Sequence, residues 1–404
     1  MSLPPSASAH VITSGREALE VASEFAAFLA EDVIERDRSG AVPREALAAL
    51  DRSGLIGITV PREHGGAGVP PSVLAEVGRR IAAVDPAIAQ APQGHFVVID
   101  ILRLLGTPAQ RSRLFAEVLA GGRLGPALAE RGAQHAQMLG TRIVPAADGW
   151  SVSGRKYYTT GAITSRWLAV SALDPEERVV LAFMPRDDPA VRIDEDWNVM
   201  GQRATVSGTT VIDDCRVDRA LWLEYWRAYE SPQLLGARAQ IVHAAIEVGI
   251  AGGALADARA FVRDRARPFF EAVNGGWAQR ASEDPHTIFR FGRLATQVRA
   301  AEQLLRWAGE ELDAVGLHPA DEQEAARGSL AVAQAKAFGS EVAVLVASDL
   351  FALAGASAAD ERHDLSRHWR NARTHSVHDP VDWKYHHLGA YLLNDTIPPN
   401  HGQL

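Results

Sequence analysis

The sequence predicts an α+β multidomain fold: an N-terminal helical domain over residues 1–125, a middle β-domain over 126–235, and a C-terminal helical bundle with a tail over 236–404. The prediction rests on three observations. Apolar residues recur at spacings of three and four up to about residue 122, alternate with polar residues from about 126 to 222, and return to the helical period from about 236. Helices therefore flank a stretch of short strands.

In the first part, REALEVASEFAAFLAEDVI is an alanine-rich amphipathic pattern, and breaks fall at Gly and Pro clusters such as PREHGGAGVPP (61–71), which reads as a loop. In the middle part, GWSVSGRKYY alternates after the turn residues Asp148 and Gly149. RWLAVSAL and RVVLAFMP flank Asp174-Pro175 as two strands, and TVSGTTVIDDCRV reads as another. Short strands at this spacing form a small antiparallel barrel or sandwich. In the last part Ile241, Ala245, Val248, Gly252 and Leu255 share one stripe, and Phe291, Leu294, Val298, Leu305 and Leu312 another; Leu330 to Phe351 is a third long apolar pattern. Small residues at Gly249, Ala251, Gly252, Gly253 and Ala254 permit close helix packing.

Composition narrows the function classes. The chain has 404 residues, 47% of them hydrophobic and 23% charged, without an uninterrupted apolar run of membrane-spanning length. MSLPPSASAHVITSGREAL lacks the basic and apolar regions of a signal peptide, and the single cysteine, Cys215, suits a reducing cytoplasm. A net charge of −9 with no basic cluster argues against a nucleic-acid partner. GGAG at 65–68 has neither the GxGxxG spacing nor the preceding strand of a dinucleotide fold, and neither a phosphate-binding GxxxxGK[ST] nor a GxSxG nucleophile elbow occurs. Any redox cofactor must bind without these devices.

The ordered set GLIGITVPREHGGAG (54–68), GRKYYTTGA (154–162) and WNVMGQRATVSGTTV (197–211) resembles consecutive landmarks of the acyl-CoA dehydrogenase superfamily, over about residues 15 to 399. The resemblance implies a middle antiparallel β-barrel and a C-terminal four-helix bundle. Dehydrogenases of this kind need a carboxylate base for the α-proton of the thioester, in many of them a glutamate near the C-terminus. Here RHWRNARTHSVHDPV occupies that place, His378 stands where the glutamate would be, and no Glu follows Glu361. ALAE (127–130) also lacks the usual threonine before Glu130. QAPQGHFVVI (90–99), ALAERGAQHA (127–136), MGQRATVSGT (200–209) and RNARTHSVHDPVDWKYHHLGAYLLND resemble instead the flavin-dependent monooxygenases on this fold, the sulfur-acquisition oxidoreductases and dibenzothiophene-oxidising enzymes.

That resemblance implies reduced FMN delivered by a separate NAD(P)H-flavin reductase, a flavin C4a-hydroperoxide formed with O2, transfer of one oxygen atom to a small lipophilic organosulfur compound, and a homotetramer. It implies His378 near the flavin C4a position, as proton donor or hydrogen-bonding stabiliser, a role that suits an imidazole whose ordinary pKa lies near 6.5. It places His95 as a second imidazole facing the same pocket. For either residue the alternative is a structural histidine, capping a helix end or bonded to a backbone carbonyl. Tyr158 takes the aromatic position at the flavin ring, Thr160 the hydroxyl position near N5, and Arg265 the place of an arginine reaching the flavin phosphate of a neighbouring subunit. Trp197 and Ser207 are weaker candidates for the pocket lining. His375, His386 and His387 read as structural or surface groups. Pro380 and the missing Cys or acidic partners argue against a metal site. The loop Ala133–Met138 and the tail after Tyr391 are candidates to cover the pocket. Two other readings stay open: an acyl-CoA dehydrogenase with FAD and a base placed elsewhere, and a non-catalytic binding module on the same fold.

Overall fold

The computed structural model describes residues 9–132, 138–147, 149–402 and 404; the turn residue Asp148 and residues 133–137 of the expected cover loop lie outside them. Seven helices come first: α1 (Gly15–Ala30), α2 (Val33–Ser39), α3 (Arg44–Arg52), α4 (Pro71–Ala82), α5 (Pro86–Gln90), α6 (Gln93–Leu105) and α7 (Pro108–Leu119). Local chemistry sets their ends. The Ser14 hydroxyl accepts the Glu17 N–H to start α1, and Thr107 and Gln110 form a reciprocal capping box on α7, with Pro108 at its first position. Residues 61–70 form the loop that their glycines and prolines predict, and Pro71 opens α4. A Cβ on Gly66 would lie 2.2 Å from the Val60 carbonyl oxygen, so this crossing requires glycine.

The strands follow: β1 (Leu124–Ala127), β2 (Arg142–Ala146), β3 (Gly149–Lys156), β4 (Trp167–Leu173), β5 (Val179–Pro185), β6 (Val191–Ile193), β7 (Thr210–Val217) and β8 (Trp222–Leu223). They form one sheet in the order β6-β7-β3-β2-β4-β5-β8, with β1 paired in parallel to β4. Most pairings are antiparallel, as expected. The sheet curls rather than closing through its ends, for among the described residues no pairing joins β6 to β8, and β2 meets β4 only at Arg142 and Leu173. Ile143, Val152, Leu168, Val170 and Met184 fill its own apolar core.

The chain then returns to helices: α8 (Leu235–Asp264), α9 (Phe270–Asn274), α10 (Pro285–Val315), α11 (Glu322–Ala354), α12 (Ser366–Ser376) and α13 (Val381–Asn394). Helices α8 and α11 are long and apolar enough to cross a membrane by length and composition alone, yet most of the α8 window is buried inside the protein. Helix α8 is apolar nearly all round because it is covered nearly all round. The small residues on it act across the chain: a Cβ on Gly249 would fall 2.6 Å from Ala82 Cβ, and one on Gly253 2.1 Å from the Ala83 carbonyl oxygen. Close approach is therefore to the end of α4. Residues from both helical parts, such as Leu74, Ile99, Ile246 and Val346, share a single core.

Candidate functional site

Two groups of side chains are linked through the contact between the β-domain and α12. The first lies at the end of β3. Tyr158 adopts φ +58 and is 54% exposed, an uncommon conformation for a residue with a Cβ. Beyond it, Thr160 Oγ1 and Ser207 Oγ lie 2.8 Å apart, and Ser207 Oγ is 2.8 Å from Thr205 Oγ1, which donates to the Gln202 carbonyl. The Gly161 N–H donates to the Thr205 carbonyl at 3.0 Å, tying the two segments together. Gln202 (φ 54) and Val206 (φ 45) both sit in the left-handed region. For the β-branched Val206 that is genuine strain, which persists only where surrounding contacts hold it and which gathers at functional sites. Trp197 donates Nε1–H to the Gln202 carbonyl at 3.0 Å, and its ring lies 6.1 Å from that of Tyr158. Sequence-predicted Tyr158, Thr160, Trp197 and Ser207 thus come together as a hydroxyl pair beside an aromatic wall.

The second group surrounds the end of α12. His375 lies in its last turn, and the His378 N–H closes the next turn on the His375 carbonyl at 3.0 Å. His375 Nδ1 is 2.7 Å from Glu247 Oε1, and His375 Nε2 is 3.0 Å from His243 Nδ1. The His243 ring packs against that of His378 with centroids 4.0 Å apart. His378 Nδ1 is 3.1 Å from Asp379 Oδ1, while Asp379 also pairs with Lys336 and, at 2.9 Å, with Lys384. Lys336 further donates to Gln240 Oε1 at 2.8 Å.

The His378 side chain keeps 43% of its surface; Glu247 and His375 keep none. Burial holds His243 well below the usual imidazole range, and the neighbouring His378 and Lys336 push the same way. Desolvation against these neighbours also lowers His378, with the Asp379 hydrogen bond opposing it. Burial would raise the Asp379 carboxyl, but the His378 hydrogen bond and the two lysines hold it well below the carboxylate range. At neutral pH His378 is a neutral imidazole whose Nδ1–H donates to Asp379, and its Nε2 has no hydrogen bond among the described residues.

One loop joins the two groups. A Cβ on Gly201 would fall 2.0 Å from the Arg370 carbonyl oxygen, so the loop lies flat on α12. There the Gln202 N–H donates to Asn371 Oδ1, and Arg370 reaches the Met200 carbonyl at 3.2 Å and Asp37 at 2.6 Å. The loop that carries Trp197 and Ser207 therefore seats the helix that presents His375 and His378.

His95 differs from its expected place. It is buried in α6, with Nε2 2.9 Å from the Ile56 carbonyl oxygen and Nδ1 3.0 Å from the Leu124 N–H. The backbone N–H must donate to Nδ1, so Nε2–H donates to Ile56 and neither nitrogen remains for a pocket. Burial pushes the group down to about 4. His95 is a structural tie between the 55–57 turn, α6 and β1, where the resemblance implies a second site imidazole.

Arg265 is exposed at the end of α8, with Nη1 3.0 Å from His363 Nδ1. It lies about six helical turns from His243, roughly 33 Å along the axis, beyond reach of the same group within one chain. His375, read from sequence as structural or surface, is buried at the centre of the cluster, whereas His386 is exposed and His387 half-buried. Among the described residues no hydrogen bond joins the tail after α13 to His378. Asn400 bonds Gln233 and the Ser231 carbonyl, and Leu404 is buried beside Gly236. Sequence reasoning missed His243, Glu247, Lys336 and Asp379. One signal was available, since Gln240, His243 and Glu247 fall at i, i+3 and i+7 as a polar line on an otherwise apolar helix.

The donor set suits a flat heteroaromatic ring with polar edges. Thr160 and Ser207 each keep hydrogen-bonding capacity beyond their mutual contact, Tyr158 and Trp197 supply aromatic surface, and His378 offers an open nitrogen. Comparison with known proteins agrees with this fold. Residues 15–122 match the acyl-CoA dehydrogenase N-terminal domain and residues 241–383 the acyl-CoA dehydrogenase C-terminal domain. The chain is 32% identical over 403 residues to a probable FMNH2-dependent monooxygenase, SfnC, of Pseudomonas putida, spanning 96% of this chain and 98% of that protein. It is 32% identical over 395 residues to a dibenzothiophene monooxygenase of Mycolicibacterium goodii, spanning 94% of each. Among solved structures, FMN-bound TdsC from Paenibacillus sp. A11-2 matches with a TM-score of 0.90 at 28% identity, over 96% of this chain and 100% of that one.

Proposed function

Because the chain belongs to the acyl-CoA dehydrogenase superfamily, in its flavin-dependent monooxygenase branch, we propose that it is the oxygenase component of a two-component cytoplasmic system that inserts one atom of O2 into a small organosulfur compound. A separate NAD(P)H-flavin reductase supplies reduced FMN. When bound, reduced FMN contributes oxygen activation at its C4a carbon. The protein contributes position and protons. Thr160 and Ser207 hold the polar edge of the ring system, Tyr158 and Trp197 its face, and Arg265 serves the phosphate of a neighbouring subunit. His378 exchanges a proton at Nε2 while Asp379 fixes its Nδ1–H and hence its tautomer.

The observation that carries this reading is a histidine with one open nitrogen where the dehydrogenase reading needs a carboxylate. Glu247, the acid that reaches this cluster from α8, is fully buried and bonded to His375, so it cannot serve a thioester. The same reading implies a homotetramer, and Phe269, Phe270, Trp277 and Phe289, each at least 60% exposed, supply apolar surface for it to cover.

The test is anaerobic titration with reduced FMN, then rapid mixing with oxygenated buffer. A transient absorbing species ahead of reoxidised flavin, and product when an organosulfur compound is present, support the proposal. Direct reoxidation together with tightly bound FAD and bleaching by an acyl-CoA would replace it with the dehydrogenase reading.

A further inference from the structure

The imidazoles behind His378 form a charge-balanced cluster. The charged and titratable groups facing it are His243 and Glu247 from α8, Lys336 from α11, His375 from α12, His378 and Asp379 from the turn after it, and Lys384 from α13. With the three imidazoles neutral, two carboxylates offset two ammonium groups and the cluster carries no net charge. The charges are unevenly placed. Asp379 at the outer end is paired with both lysines, whereas Glu247 at the inner end hydrogen-bonds His375 and feels Lys336 only through space, and its Oε2 is buried with no hydrogen-bond partner among the described residues. A single added proton is therefore best compensated at the inner end.

The hydrogen bonds provide a way to put it there. With His375 Nδ1–H donating to Glu247, His375 Nε2 is a lone pair and accepts the His243 Nδ1–H. When a proton binds His243 Nε2 and the Nδ1 proton shifts across the 3.0 Å contact to His375 Nε2, one proton enters, none leaves, and the positive charge rests on His375 against Glu247. The His243 ring remains neutral against His378, 4.0 Å away.

We propose that Glu247, acting through His375 and His243, is a positioning residue that makes the inner end of this cluster the place where one proton is loaded when an anionic ligand binds at His378, so that His378 itself stays neutral. The inference rests on the reading that His378 faces reduced FMN.

Two measurements test it, one without flavin. In the first, thermal midpoints of the flavin-free protein are followed from about pH 7 to about pH 5, each variant against its own neutral value. Glu247→Gln removes the compensating anion, disfavours protonation of the folded cluster, and steepens the loss of stability on acidification. Lys336→Met removes a cation, favours that protonation, and flattens the loss. Parallel profiles in wild type and both variants, or shifts of the same sign, overturn the proposal; if one variant does not fold, the other carries the test through the sign of its shift.

In the second, anaerobic calorimetry with reduced FMN in buffers of different ionisation enthalpy counts protons taken up on binding. Wild type is expected to take up about one proton near pH 7 and Glu247→Gln less than about half of one, with affinities for oxidised FMN within about threefold. Equal uptake in both overturns the proposal. If no form of the protein binds reduced FMN, the functional reading fails instead, and the flavin-free profiles still decide whether Glu247 governs the cluster.

Discussion

His95 and His378 lie in two regions that the sequence nominated for the same task, and they differ in how many ring nitrogens the protein has used. In α6, both nitrogens of His95 bond backbone groups, the ring is 1% exposed, and its pKa sits near 4. After α12, only Nδ1 of His378 is hydrogen-bonded among the described residues, and the ring is packed on one face and open at its edge. A histidine with two backbone partners has no proton to exchange at neutral pH; a histidine with one acidic partner has a fixed tautomer and a free nitrogen. The count of satisfied nitrogens separates a tie from a proton handler, and a motif cannot report it.

Removing each ring should break the comparison in opposite directions. His378→Ala is expected to lower product formation by about 10²–10⁴-fold while reduced FMN still binds and the thermal midpoint moves little. Product yield per flavin oxidised, with peroxide measured alongside, is the check, and unchanged coupling would remove the proton role. His95→Ala should act on stability instead. It strands the Ile56 carbonyl and the Leu124 N–H in the core and leaves a cavity, a loss of about 4 kcal/mol in urea unfolding, with turnover per folded molecule nearly unchanged. A large fall in turnover without a fall in stability would return His95 to the site.

How much was legible follows from the same contrast. His378 was marked by its place in RHWRNARTHSVHDPV, where many dehydrogenases carry a glutamate, while its neighbours His375 and Asp379, which define its setting, were not read as part of a site. Thr160 and Ser207 were separately readable, but their 2.8 Å contact depends on the strained turn at Val206, which no local pattern announces. His243, Glu247 and Lys336 come from helices far away in the chain, and each alone looks like a polar exception in an apolar run. The succession of helices, strands and helices was legible from periodicity. The shared core of the two helical parts was not, since Gly249 and Gly253 reveal their partners Ala82 and Ala83 only in three dimensions.

Acidification sharpens the comparison further. His95 has a folded pKa of about 4 against roughly 6.5 unfolded, so below 6.5 the unfolded chain binds the proton first. Its contribution is complete above about pH 6.5 and is lost as pH falls toward 4, up to about 3 kcal/mol. Depressed carboxylates such as Asp257, held at about 2, lose theirs in a lower window. His95→Gln offers a donor and an acceptor without a titrating proton, and should flatten urea-unfolding stability between about pH 6.5 and 4 while leaving the loss below that unchanged. An unaltered profile would mean that His243, His368 and His378, also lowered, carry the whole window.

The smallest effect belongs to the hydroxyl pair. Thr160→Val preserves shape and the half-buried methyl but removes the oxygen that meets Ser207. Ser207 keeps its bond to Thr205, so no buried group is orphaned and the unfolding midpoint should hold. What is lost is one directed hydrogen bond to a bound ring, worth about 1.4 kcal/mol or a tenfold rise in the Kd for FMN. Equilibrium fluorescence titration reads that change directly. A tenfold weaker Kd at constant stability would mark Thr160 as a ligand contact; a constant Kd with a lowered unfolding midpoint would make the pair, like His95, a tie within the fold.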